Sequence, residues 1–171
     1  GVYIAEQVSH HPPISAYYYV SPENNILIYG DLRPKSRFLG NTAANIMGGT
    51  SRIVLLSRPE DGEYSISMPN MYARGILFGK MVLELGDHSE MVNKNLQMST
   101  DVEFKVKGYF TGSYNMIEGK IMRNGRQVGN MYGKWSGKME YKDSHTGHTR
   151  LLFDAHNAQA VQKQVPPIDQ Q

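Results

Sequence analysis

Hydrophobic and polar positions alternate with a period of two along several stretches of the chain. In the segment 97–107 the odd-numbered positions are polar from end to end, while 98, 102, 104 and 106 are apolar. The segments 63–68 and 138–142 repeat the pattern. Because successive side chains of a strand point to opposite faces, the alternation predicts half-buried antiparallel strands.

Turn-forming residues separate these stretches, and the Asn124-Gly125 pair suits a two-residue type I′ hairpin. One helical segment is predicted at Thr42–Met47, with Asn41 as its cap and Gly48-Gly49 as its stop. The rest of the pattern predicts an all-β meander of long antiparallel strands. The turn signals lie at 22–25, 59–62, 86–88 and 123–126.

Long strands with one charged face suggest a sheet curled around an apolar interior. The stretch Arg74–Leu85, taken as one strand, would span roughly 40 Å, comparable with a whole phospholipid. A lipid-sized tunnel is therefore geometrically possible. The alternative is a β-sandwich with a filled core, which the pattern alone favours.

Composition narrows the class of protein. The chain has 171 residues, of which 40% are hydrophobic, and no cysteine. Eighteen Lys and Arg against sixteen Asp and Glu give a net charge of +2, too small to indicate nucleic-acid binding. No signal-like run opens the chain, and no apolar stretch is long enough to cross a bilayer as a helix. These features predict a soluble intracellular protein with a single domain.

The segment Glu6–Pro13 carries the most specific chemistry, with two adjacent histidines followed by two prolines. Imidazoles donate hydrogen bonds and gain charge near neutral pH, which suits phosphate. Pro12 is expected to hold His11 extended and to present both rings on a stiff polyproline-like segment. On a strand, however, neighbouring side chains point to opposite faces, so a shared metal or a Ser9-His10 nucleophile is disfavoured. Structural histidines remain the alternative.

Read on to Tyr19, the string EQVSHHPPISAYYY resembles the signature of the oxysterol-binding-protein-related lipid-transfer family. Blocks at 29–41, 68–79 and 133–137 resemble the family in the same order. They are most similar to the fungal subgroup that exchanges phosphatidylserine for phosphatidylinositol 4-phosphate (PI4P). The resemblance implies part of an incomplete β-barrel around a lipid tunnel. Residues 1–171 would then be the central part of a single lipid-binding domain, lacking an N-terminal lid and a C-terminal portion.

The resemblance also implies roles for individual residues. His10 and His11 would bind the 4-phosphate of PI4P, while the basic residues that complete this site in the family lie outside the chain. Ser36 would contact the phosphatidylserine headgroup; a routine hydroxyl lining the lumen is the alternative. Strand alternation agrees, since it places Ser36 with Leu32 and Phe38 on one face. The basic side chains of Arg33, Lys35 and Arg37 are expected on the other face.

A carrier of this kind implies a cytoplasmic monomer that touches anionic membranes, at contact sites between endoplasmic reticulum and plasma membrane. It would use no metal or other cofactor and bind no nucleic acid. Sterol and PI4P exchange, or PI4P sensing without transfer, are the alternatives. An enzyme is disfavoured because no acid–base pair or activated nucleophile can be assembled. Asp143–His148 has metal-like composition, but its Gly and Ser favour a solvated turn.

Overall fold

Fourteen β-strands and one short 3₁₀ helix, Pro59–Asp61, account for the regular structure of the described residues. The computed structural model describes residues 1–108 and 112–157, and in these ranges it contains no α-helix. The described residues therefore include no helix that could span a bilayer. The all-β prediction is confirmed. The strands are β1 Val2–Ser9, β2 Ile14–Ser21, β3 Ile26–Leu32, β4 Lys35–Phe38, β5 Thr42–Ile46, β6 Ser51–Leu55, β7 Glu63–Ile66, β8 Asn70–Arg74, β9 Val82–Asn93, β10 Met98–Lys105, β11 Met116–Arg123, β12 Arg126–Lys134, β13 Lys138–Asp143 and β14 Thr149–Asp154.

All strand pairs are antiparallel, and most join neighbours in the chain, as a meander requires. The main path runs β1-β2-β3-β6-β7-β9-β10-β11-β12-β13-β14. A side branch, β4-β5-β8, joins this path at β9. Strands β1 and β14 lie at opposite ends of the path and do not pair with each other, so the sheet is not closed within the described residues.

Strand β9 is the junction between the main path and the branch. One of its edges pairs with β10, while the other pairs first with β8 and then, at Met91 and Val92, with β7. The prediction of a turn at 86–88 is wrong, because the chain passes through this point as a strand. Asp87 adopts a left-handed φ of 64°, and its Oδ2 accepts hydrogen bonds from the Tyr72 hydroxyl and from Asn70 Nδ2, at 2.7 Å from the latter. A local distortion therefore replaces a chain reversal.

Two further predictions are wrong. Residues 74–85 do not form one strand, since β8 ends at Arg74 and a loop runs from Gly75 to Met81. Gly75 and Gly79 have φ of 73° and 92°, which an extended strand excludes. The predicted helix Thr42–Met47 is strand β5, because β4 and β8 pair with its two edges and supply the backbone hydrogen bonds that a helix would have made internally.

The predicted alternation is confirmed in β10. Asp101, Glu103 and Lys105 are exposed, while Val102 is buried against Gly119 of β11 and Phe104 is half-buried opposite Ile117. The Asn124-Gly125 turn also forms as predicted, with both residues at positive φ.

Few apolar side chains are fully buried in the described residues. Of the residues that the structure describes, only Ala44, Val102 and Ile117 are buried apolar side chains, while many large apolar side chains are exposed. The alternative of a sandwich with a filled core does not describe this structure, since one unclosed sheet leaves its apolar surface largely uncovered.

Candidate functional site

The two histidines lie in the turn that joins β1 to β2. The last strand pair before the turn is Ser9 with Ile14, so the chain must reverse within the four residues between them. The expected extended, polyproline-like presentation is therefore wrong, and the His11–Pro12 peptide bond is cis. The turn brings the imidazole rings together, with centroids 4.3 Å apart and planes inclined by 57°. Both rings are exposed and can meet one ligand.

A neighbouring amide orients one of the rings. Gln7 Nε2 lies 3.4 Å from Nδ1 of His10. When the amide donates to Nδ1, the ring proton resides on Nε2, which then donates outward. No salt bridge to either ring occurs among the described residues. His10 therefore presents an outward-facing donor, and neither ring is paired with a carboxylate of the described residues.

A cleft of about 790 Å³ lies next to this turn, and Ser36 is one of its lining residues. Pro12 and Pro13 contribute one side of the cleft, whereas the two histidines before them are not among its lining residues. The structure thus brings the turn and Ser36 to one concave surface. The lining consists of Pro12, Pro13, Ile14, Arg33, Pro34, Lys35, Ser36, Arg37 and Asn45.

The predicted arrangement around Ser36 is corrected in one respect. Leu32 ends β3 and Ser36 belongs to β4, so these two residues do not share a strand face; Pro34 lies between the two strands. Within β4, alternation still places Ser36 with Phe38. All four residues of β4 are exposed, and the basic residues on both sides of Ser36 also line the cleft. Strand β4 pairs with β5 alone among the described strands.

Asn45 is a site residue that the sequence analysis missed. It pairs directly with Ser36 across β4 and β5, so the two side chains lie on one face. Asn45 lines the cleft, and its Oδ1 is enclosed without a hydrogen-bond partner among the described residues. The expected helix at 42–47 hid this pairing. Reading Gly40-Asn41 as the turn of a hairpin would have placed position 36 opposite position 45.

The cleft is positively charged. Arg33 is paired with Asp31, since its Nε lies 2.5 Å from Oδ2. The hydrogen bond from Arg33 lowers the pKa of the Asp31 carboxyl, with help from the backbone N–H of Thr50. Lys35 and Arg37 form no salt bridge among the described residues. Two cations therefore remain available to attract an anion.

The histidines near the end of the described region lie elsewhere. His145 and His148 occupy the turn between β13 and β14, as predicted for a solvated turn. Asp143 Oδ1 accepts hydrogen bonds from the backbone N–H groups of His145 and Thr146, both at 2.8 Å. These bonds lower the pKa of the Asp143 carboxyl. Its lone pairs are thus used to shape the turn.

Comparison with known proteins connects this geometry to one family. The family model described as "Oxysterol-binding protein" matches residues 1–166. The chain belongs to the oxysterol-binding protein family. Within that family, an oxysterol-binding protein homolog of Schizosaccharomyces pombe is 48% identical over 173 residues, covering 100% of this chain and 36% of the relative. Oxysterol-binding protein homolog 7 of Saccharomyces cerevisiae is 44% identical, covering 99% of this chain and 40% of the relative. The chain thus spans well under half the length of these relatives.

Solved structures of the oxysterol-binding protein family share the fold. The Osh1 ORD domain in complex with ergosterol superposes with a TM-score of 0.76 at 23% identity, over 89% of this chain and 40% of that one. The Osh3 ORD in complex with PI(4)P, from Saccharomyces cerevisiae, gives a TM-score of 0.69 at 19% identity, over 86% of this chain and 38% of that one.

Proposed function

We propose that this chain is part of a lipid carrier that exchanges phosphatidylserine for PI4P between membranes, holding one lipid at a time. The observation that carries the proposal is the pair of exposed imidazoles, His10 and His11, 4.3 Å apart in a turn whose prolines border a cationic cleft. The Osh3 ORD, which has the same fold, was solved with PI(4)P.

The imidazole pair suits a phosphate monoester. Two rings whose centroids are 4.3 Å apart can donate to different oxygens of one phosphate, and a phosphate offers several acceptors. Each charge-assisted hydrogen bond contributes on the order of 1.5–3 kcal/mol. Lys35 and Arg37 add long-range attraction for the anion.

The cleft beside the turn suits the headgroup of phosphatidylserine. Its carboxylate and phosphate carry negative charge, which Lys35 and Arg37 attract. The Ser36 hydroxyl and the Asn45 amide offer both donors and acceptors on one strand face. Because both lipids would occupy one lumen, they compete, and a PI4P gradient can drive phosphatidylserine uphill.

The acyl chains require an apolar enclosure. At about 0.8 kcal/mol per methylene, two chains with some thirty methylenes would cost more than 20 kcal/mol to expose to water. The sheet leaves its apolar surface open, with three apolar residues fully buried among those described. The proposal therefore includes residues 1–171 as the central part of a longer lipid-binding domain, whose lid and remaining walls come from flanking sequence.

The setting of this carrier is part of the proposal. It is a cytoplasmic monomer that meets anionic membranes peripherally, at contacts between endoplasmic reticulum and plasma membrane. It uses no cofactor and has no catalytic step, since the lipid leaves chemically unchanged.

The test is extraction of PI4P from liposomes by the full-length natural protein. His10→Ala/His11→Ala should lower PI4P extraction at least about 100-fold, because two charge-assisted hydrogen bonds are lost. Phosphatidylserine binding should persist. His145→Ala/His148→Ala removes two exposed histidines from another hairpin turn and is the matched control. Undiminished PI4P extraction by the first variant would refute the assignment.

Sterol carriage is the second candidate function. The Osh1 ORD domain, which has the same fold, was solved with ergosterol and with cholesterol. Native mass spectrometry of the lipid that co-purifies with the full-length protein separates the two cargoes. PI4P sensing is separated by a vesicle-to-vesicle assay, since a sensor binds PI4P and transfers nothing.

A further inference from the structure

Six large apolar side chains protrude where two loops meet at one end of the branch sheet. We name residues 38–41 and 75–81 the paired-loop tip; the first segment joins β4 to β5, and the second joins β8 to β9. Their exposed fractions of 59–78% mean that these side chains are mostly uncovered by the described residues. They are Phe38 at 78%, Leu39 at 60%, Leu77 at 65%, Phe78 at 71%, Met81 at 70% and the adjoining Leu83 at 59%.

Polar bonds, not apolar packing, hold the tip together. The side chain of Asn41 donates to the Phe78 carbonyl at 2.9 Å and accepts from the N–H groups of Leu77 at 2.8 Å and Phe78 at 3.1 Å. The backbone carbonyl of Asn41 also accepts hydrogen bonds from the N–H groups of Gly75 at 2.9 Å and Ile76 at 3.3 Å. The N–H groups of residues 75–78 are thus hydrogen-bonded to Asn41, which orders the second loop before any binding and lowers the ordering cost of docking.

The charge around the tip has a single sign. No Asp or Glu occurs between Asp31 and Glu60, or between Glu63 and Glu84. The positive charge is therefore concentrated here, since the net charge of the whole chain is only +2. Glu84 is buried and lies 3.1 Å from Arg74, so this carboxylate and this guanidinium offset each other. Within residues 32–83, the exposed cations without a salt bridge to any described residue are Lys35, Arg37 and Lys80.

We propose that the paired-loop tip docks this protein on membranes, with its apolar side chains inserted among lipid acyl chains and Lys80 and Arg37 facing anionic headgroups. Exposed apolar side chains with unpaired cations nearby in the chain match the acyl chains and the negative headgroups of an anionic bilayer. A protein partner would need a pocket shaped to six projecting side chains, whereas a fluid bilayer accepts any outline. The inference deepens the proposed function, because a carrier must meet a bilayer, yet it does not depend on the cargo.

The test is flotation of the full-length natural protein with phosphatidylcholine vesicles that contain or lack phosphatidylglycerol, an anionic lipid that is not a proposed cargo. Leu77→Ser/Phe78→Ser should weaken binding to the anionic vesicles at least about tenfold, and Lys80→Ala should weaken it severalfold. Leu151→Ser/Phe153→Ser removes the same two residue types from exposed positions of β14 and is the matched control. Thermal melting confirms that each variant is folded.

A second measurement reports insertion directly. Phe78→Trp should gain fluorescence that nitroxide-labelled lipids quench, measured as the difference from the parent protein. Unchanged flotation of Leu77→Ser/Phe78→Ser, or an unquenched Trp at this position, overturns the proposal and leaves the tip as a contact with protein, the flanking sequence of this chain included. PI4P extraction by His10→Ala/His11→Ala is scored separately, so the proposed function and the docking surface fail independently.

Discussion

Replacing Asn41 with alanine is expected to loosen the paired-loop tip without unfolding the sheet. The substitution removes three side-chain hydrogen bonds, to the carbonyl and N–H of Phe78 and to the N–H of Leu77. It retains the backbone bonds from Gly75 and Ile76 to the Asn41 carbonyl. The effect should therefore be local, because the register of β5 with β8 does not depend on this side chain.

The expected magnitude follows from the number and exposure of these bonds. A net intramolecular hydrogen bond contributes about 0.5–1.5 kcal/mol, and water can replace part of that at an exposed site. Three such bonds thus give about 1–2 kcal/mol of local stability, equivalent to about 5- to 30-fold in the opening equilibrium. Hydrogen exchange of the Leu77 and Phe78 amides should accelerate by that factor.

Amide exchange measured by NMR or mass spectrometry provides the assay, with the amides of β10 as an internal control. Asn41→Asp keeps an acceptor for the two N–H groups and loses the donor to Phe78, so it should fall between the parent and Asn41→Ala. Exchange at Leu77 and Phe78 that stays at the parent rate would refute the view that Asn41 holds the tip. Equal acceleration throughout the sheet would refute its local character.

Three further outcomes are expected. Asn45→Ala should leave the melting temperature unchanged or slightly higher, since the enclosed Oδ1 has no partner, while lowering phosphatidylserine affinity about 5- to 10-fold in a liposome assay; unaltered affinity would exclude a headgroup contact. The hydrogen bond to Asp101, 2.6 Å away, raises the pKa of His88 above its usual value, so this pair stabilises the fold below the unfolded-state pKa and loses its contribution as pH rises through the folded-state pKa. Both side chains are more than half exposed, so the pair should contribute less than about 1 kcal/mol to the free energy of unfolding. An NMR titration that shows a lowered pKa for His88 would contradict the expected pH dependence. Arg74→Met should destabilise the domain by about 3–5 kcal/mol in urea unfolding, because the buried Glu84 loses its cation; an effect below about 1 kcal/mol would contradict that role.

Local chemistry determined which parts of the fold could be predicted from the sequence. The alternation predicted at 97–107 formed a strand over Met98–Lys105, and the Asn124-Gly125 turn formed as predicted, since each depends on neighbouring residues alone. Segment 42–47 depends on partners distant in the chain, and pairing with β4 and β8 overrode the helical preference of Ala43 and Ala44. The reversal at 75–81 and the distortion at Asp87 both rest on positive φ values that an alternation pattern does not encode.

The candidate site was likewise predictable only where it depends on neighbouring residues. The motif at 6–13 identified His10 and His11, but the expected strand would have separated their rings, whereas the hairpin turn brings them to 4.3 Å. Asn45 carried no motif, and only the register of β4 with β5 reveals it beside Ser36.

Strand β4 links the two proposed surfaces. Ser36 lines the headgroup cleft and Phe38 begins the paired-loop tip, two residues further along one four-residue strand. At strand rise, the whole of β4 spans only about 10 Å. A tip inserted in a bilayer would therefore hold the cleft near the headgroup layer, where a phosphate enters after a short displacement. On this geometry, substitutions in the tip should slow lipid extraction from membranes while sparing the affinity for lipid presented in solution, whereas substitutions in the cleft should lower both. A tip variant that lost affinity for lipid in solution would break this separation.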